Sequence, residues 1–99
     1  MIPRKFASAV IAKLRQGWTQ HRSAENAQGR IARGSSTEAV RWCLVGACYA
    51  VDQVNPPVAA YQALTTLEAK VGGVAQWNDR GGRTVEEVIA LVESCTEPQ

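Results

Sequence analysis

Apolar side chains recur along this chain with helical spacing in separate stretches, and turn-forming residues fill the breaks. Phe6, Ala9, Val10 and Leu14 stand at i, i+3, i+4 and i+8, which is one face of a helix, so residues 3–16 are predicted helical. Pro3 suits a first helical position, Lys13 and Arg15 lie near the end that favours cations, and Gly17 supplies the stop. Val40, Cys43, Leu44, Ala47, Cys48 and Val51 form a longer stripe that predicts a helix over 37–51. Ser35-Ser36-Thr37-Glu38 reads as its capping box, with Ser35 as cap and Glu38 reaching back. Asn55-Pro56-Pro57 closes that helix and opens the next over 57–71, whose face is Ala60, Tyr61, Leu64, Leu67 and Val71. Gly72-Gly73 breaks it, and Val74–Trp77 adds a further turn. Thr84-Val85-Glu86-Glu87 is a second capping box, and Val85, Val88, Ile89 and Val92 are the buried face of the last helix.

Residues 18–36 lack that period. Trp18-Thr19-Gln20 favours an extended segment, and Asn26-Ala27-Gln28-Gly29 is turn chemistry. A short hairpin turning near Gln28-Gly29, or an ordered loop, fills this stretch. The reading is therefore an all-α fold. It is a small single domain over 1–99 with about four helices and a loop or short β-hairpin between the first two. Its core spans 3–95, and residues 96–99 are expected to fray. The excursion after the first helix means the domain need not be a simple up-down bundle.

Composition narrows the class. With 45% apolar and 20% charged residues the chain resembles an ordinary globular protein. No apolar run reaches the length of a membrane span. The basic start at Arg4-Lys5 is not followed by a signal-peptide core, because Ser8, Lys13 and Arg15 interrupt it. A cytoplasmic protein is the expectation. An odd count of 3 Cys agrees with reduced thiols. On a helix, Cys43 and Cys48 would point about 140° apart, at roughly 100° per residue, so they read as small buried apolar groups. The net charge of +2 hides an asymmetry: residues 1–41 hold eight basic side chains against two acids, and residues 42–99 hold three against seven. Such a basic half suits an anionic partner or balances the acidic half inside the fold.

Candidate chemistry gathers in Trp77-Asn78-Asp79-Arg80-Gly81-Gly82-Arg83-Thr84. As a connection between helices, Trp77 anchors, Asp79 pairs with Arg83 and Asn78 bonds turn amides. As a recognition loop, Arg80 and Arg83 take an anion, and Asn78 and Asp79 take a hydrogen-bonded ligand. Cys43, His21 and Asn78 have the composition of a thiol hydrolase, but a Cys inside an apolar stripe is not activated. No residue is assigned a catalytic role. No spacing matches zinc ligation or a phosphate loop, so neither metal nor cofactor is expected. Trp18, His21, Arg22, Arg30 and Arg33 interleave rings with cations, a composition suited to nucleic acid. Gly46, with Cys43, Ala47 and Ala50, makes a small-residue patch for a ring or another backbone; Trp18 or Trp77 is the expected ring.

Trp18-Thr19-Gln20, Trp42-Cys43-x-x-Gly46-Ala47 and Trp77-Asn78-Asp79-x-x-Gly82-Arg83-Thr84 together resemble a family of short uncharacterised proteins of bacteria and their phages. The resemblance runs over nearly the whole chain and implies no activity. It implies a leading helix, a Gly-containing turn after the WTQ segment, a WCxxGA helix and a WND…GRT junction. It groups Trp18, Gln20, Trp42, Cys43, Gly46, Trp77, Asn78, Asp79 and Arg83 as recurring side chains; His21 and Cys48 are particular to this member. The functional expectation is a small non-enzymatic cytosolic module that binds another protein, in an accessory role such as a phage's interference with its host. A hydrolase or transferase using Cys43, Asn78 and Asp79, and a nucleic-acid binder through 18–33, are the alternatives. The binding residues expected are Trp77, Asn78, Asp79, Arg80, Arg83, Trp18 and Gln20, with Arg22, Arg30 and Arg33 for nucleic acid.

Overall fold

A computed structural model describes residues 1–98. Helices α1 (Arg4–Gln16), α2 (Leu44–Val51), α3 (Val58–Val71), α4 (Val74–Asn78) and α5 (Val85–Ser94) dominate it. Between α1 and α2 lie strands β1 (Ala24–Glu25), β2 (Ile31–Ala32) and β3 (Arg41–Trp42), an antiparallel sheet in the order β2-β1-β3. The all-α expectation is thus corrected: the fold is helix-dominated but carries a small sheet.

The hairpin lies where turn chemistry put it. Asn26 Oδ1 accepts the N–H groups of Gln28 and Arg30 at 3.0 and 2.9 Å, and Gly29 takes a left-handed φ of 77° at no steric cost. The third strand has no local signal. Val40 donates its N–H to the Glu25 carbonyl, and Cys43 donates to the Ser23 carbonyl. This pairing with a distant segment displaces the helix predicted for 37–43. The capping box expected at Ser35–Glu38 is not built; Ser36 Oγ accepts the Glu38 N–H in a tight turn instead. Helix α2 begins at Leu44, where the Cys43 sulfur caps it by accepting the Gly46 N–H at 3.3 Å.

The helices pack as their stripes predict, with adjustments. Helix α1 lies on α2 and α5, and α2 lies on α3 and α4. Val10, Leu14, Leu44, Cys48, Leu67, Val88 and Val92 are almost wholly buried. Tyr61, expected in the core, is 49% exposed, and Ala63 takes the inner position of α3. The Thr84–Glu87 capping box forms in both directions. What approaches Gly46 is backbone rather than an indole ring: a Cβ there would lie 1.9 Å from the Ser23 carbonyl oxygen. The described part of the C-terminal tail is hydrogen-bonded to the N-terminal segment. Ile2 donates to the Cys95 carbonyl at 2.8 Å, Glu97 donates to the Ile2 carbonyl at 2.9 Å, and the Arg4 guanidinium bonds the Glu97 carbonyl. Gln99 lies outside the described residues. No helix among them is long and apolar enough to cross a membrane.

Candidate functional site

Asn78 ends α4 with its side chain fully enclosed. A buried amide is stable only if its donors and acceptor are paired, and all are. Its Oδ1 accepts the Trp18 indole N–H at 2.8 Å and the Leu44 backbone N–H at 3.1 Å. Its Nδ2 donates to the Thr19 carbonyl at 3.2 Å and to Asp79 Oδ1 at 3.0 Å. One side chain therefore ties the segment after α1, the first turn of α2 and the end of α4. The Leu44 N–H is one of the orphan donors at a helix start, so Asn78 also completes the cap that Cys43 begins.

The neighbours reinforce this node. Gln20 Nε2 donates to the carbonyls of Asn78 at 3.0 Å and Arg80 at 3.1 Å. Asp79 Oδ1 accepts the His21 N–H at 2.8 Å. That bond holds His21 at φ 71°, a left-handed conformation unusual for a side-chain-bearing residue. Asp79 does not pair with Arg83, as its spacing suggested. Arg83 lies over the Trp77 ring at 3.8 Å, donates from Nε to the Trp77 carbonyl at 3.0 Å, and pairs with Glu87 at 3.5 Å. Of the seven binding residues expected, Trp18, Gln20, Trp77, Asn78, Asp79 and Arg83 are brought together and bond to one another or to local backbone. Arg80 contributes a carbonyl and keeps its side chain exposed.

This arrangement removes the ingredients of a thiol hydrolase. The Cys43 sulfur is buried against Gly46, and that desolvation pushes its pKa up. Cys48 is pushed up to about 12 by the same cause. His21 turns its ring outward, its charged contact being Asp79 at 4.0 Å. Asn78 offers no open face.

The cationic residues are split as well. Arg22 and Arg41 flank Glu25: Arg22 at 3.5 Å, Arg41 through a short Nε–carboxylate bond. Arg41's hydrogen bond holds the Glu25 carboxyl below its ordinary pKa. Arg22 also bonds the Gly29 carbonyl, closing the hairpin. Arg30 and Arg33 are exposed and make no ion pair among the described residues. The four arginines do not form one exposed stripe.

An open groove of about 860 Å³ lies between the hairpin and the end of α2. His21, Arg22, Ile31 and Arg33 line one wall, and Tyr49, Asp52, Val54 and Pro57 line the other. Asp52 is occupied: its two oxygens accept the N–H groups of Val54 at 3.3 Å and Ala60 at 3.0 Å. Tyr49 continues into a second groove of about 450 Å³ with Tyr61, Leu64 and Val74, and the two tyrosine rings meet edge to face at 6.2 Å. Sequence reading missed this surface. Ile31, Tyr49 and Val54 carry no motif, and they share one groove only because the fold sets the hairpin and the end of α2 on its two sides. The node and the groove share one residue, His21, so Asp79 sets the wall that His21 presents.

A helix-dominated domain with a three-stranded antiparallel sheet, clamped by a buried asparagine beside an exposed groove, is the class these features define. The chain belongs to the family of unknown function DUF6197, which matches residues 6–97. No curated protein matches the chain, and no solved structure does.

Proposed function

We propose that this protein is a small binding module, without catalysis of its own, that engages another protein through the groove beside β2. The observation that carries the reading is where its exposed apolar side chains lie. Ile31 (74% exposed) and Val54 (71%) both line the groove, and Tyr61 lines the adjoining one. Clustered exposed apolar residues with a polar rim mark interaction surfaces, whereas scattered ones do not. The Trp77–Thr84 loop supports the surface rather than forming it, since Trp77, Asn78, Asp79, Arg83 and Thr84 are engaged internally. A cytoplasmic accessory role, of the kind the resemblance to small phage and bacterial proteins implies, fits a module of this size. Nucleic acid is the second reading, favoured by Arg30 and Arg33, which make no ion pair among the described residues.

A photo-crosslinking residue at position 54 in the producing cell, with position 12 on α1 as control, tests the reading. The expected result is an adduct from position 54 alone. The captured protein, purified and titrated, should bind Val54→Glu at least about tenfold more weakly, or 1.4 kcal/mol. Equal labelling at both positions, or unchanged affinity of Val54→Glu, overturns it.

A further inference from the structure

We propose that β2 is a docking edge, to which an extended segment of the partner, alternating apolar and acidic residues, adds as a fourth strand. The proposal rests on the groove reading and specifies the occupant. In the order β2-β1-β3, β2 has a neighbour on one side only. Its hydrogen-bonding phase is set by two contacts. Asn26 donates to the Arg30 carbonyl, so that pair faces across the hairpin. Glu25 accepts from Val40 on the β3 side, so Ile31, its partner in register, turns its own N–H and carbonyl away from β1. In an antiparallel ladder these orientations alternate. The outer edge therefore presents the Ile31 N–H and carbonyl and the Arg33 N–H. Unpaired strand edges are templates for another chain, and main-chain pairing at such an edge is a recurring mode of peptide capture.

The groove lies along this edge, so its chemistry dictates the side chains of the added strand. Side chains alternate between faces. On one face the incoming residues meet Tyr49, Val54 and Pro57, which favours apolar groups. On the other they lie beside Ile31 and Arg33. The carboxylates nearby are occupied: Asp52 by two backbone N–H groups and Glu25 by Arg41 and Arg22. The charges left without partners at the edge are cations, Arg33 and, at the hairpin end, Arg30. Acidic residues at alternate positions complement them.

Selection of random short peptides displayed on filamentous phage, followed by anisotropy titration of the enriched sequences as labelled synthetic peptides, tests the proposal. Enriched peptides should alternate apolar and acidic residues. Arg33→Glu and Ile31→Pro should each weaken their binding at least about tenfold, as should Val54→Glu. Ile31→Pro removes an N–H that has no partner in the fold, and circular dichroism confirms that each variant is folded; Arg33→Glu carries the test alone if the proline is not tolerated. Peptides with helical i, i+3, i+4 apolar spacing, or binding lost in Val54→Glu but unchanged in Ile31→Pro and Arg33→Glu, overturn strand addition and leave the groove reading standing. Binding unchanged in Val54→Glu overturns both. Absence of any enriched peptide, or tight binding of a labelled single-stranded oligonucleotide that Arg33→Glu abolishes, overturns the acidic strand.

Discussion

Replacing Asn78 by leucine keeps the volume of the side chain and deletes four hydrogen bonds at once. Leucine is apolar, so burial itself is not lost; the cost comes from the groups left behind. The Leu44 N–H is buried and would have no partner, at about 1–3 kcal/mol. The Trp18 indole N–H and the Thr19 carbonyl are only partly buried and recover some hydration, so each costs about 1 kcal/mol. The total is about 3–5 kcal/mol, a large share of the roughly 5–15 kcal/mol that holds a domain together. At about 4–8 °C per kcal/mol for a chain of this size, the melting temperature should fall by roughly 12–40 °C. Urea titration followed by far-UV circular dichroism measures the free energy, and an unchanged slope shows that the same surface unfolds. A loss below about 1 kcal/mol at unchanged slope would refute the claim that Asn78 is the clamp of the fold. Asn78→Asp separates donors from acceptors. It keeps the oxygen for Trp18 and Leu44 but sets a second carboxyl against Asp79, in a site that disfavours charge. The folded-state pKa of that new carboxyl would be raised. Its deficit relative to wild type should therefore be smallest at acid pH and grow as pH rises.

Gly46→Ala gains about 1 kcal/mol of helix propensity, but its Cβ would meet the Ser23 carbonyl oxygen at 1.9 Å. The clash should win, with a net loss of about 2 kcal/mol or more in the same titration; a stabilised variant would show that the strand segment yields. For Glu25 the folded-state pKa is lowered, chiefly by the Arg41 hydrogen bond. Its contribution should be present above the ordinary carboxylate range and vanish as pH falls through the depressed value. The stability gap between wild type and Glu25→Gln should accordingly close in acid, and a gap independent of pH would contradict the pairing. Cys43, Cys48 and Cys95 are all buried, and burial raises the first two thiols. Native protein should resist a thiol reagent and react only as urea unfolds it. Rapid modification of one thiol without denaturant would show an open site at α2.

The amino-acid sequence by itself determined what local rules control. Helices α1, α3 and α5, the Gly72-Gly73 break, the hairpin turn at Asn26–Gly29 and the Thr84–Glu87 cap all depend on residues within a few positions of each other. The sequence's resemblance to a family grouped Trp18, Gln20, Trp42, Cys43, Gly46, Trp77, Asn78, Asp79 and Arg83. Tertiary structure alone decided what these residues do. Asn78 meets Trp18, Thr19 and Leu44 only after α1, α2 and α4 are in place, so whether its amide faces a ligand or the chain's own backbone cannot be read locally. The same holds for β3. Residues 37–43 carry a sound helical stripe, but pairing with β1 supplies backbone hydrogen bonds from a distant segment, and that outweighs propensity. The groove is the furthest from local control. Its walls come from β2, the end of α2 and the loop before α3, each with its own unremarkable pattern. The surface exists only because their backbones are held apart while neighbouring segments, such as Ser23 on Gly46, are held close.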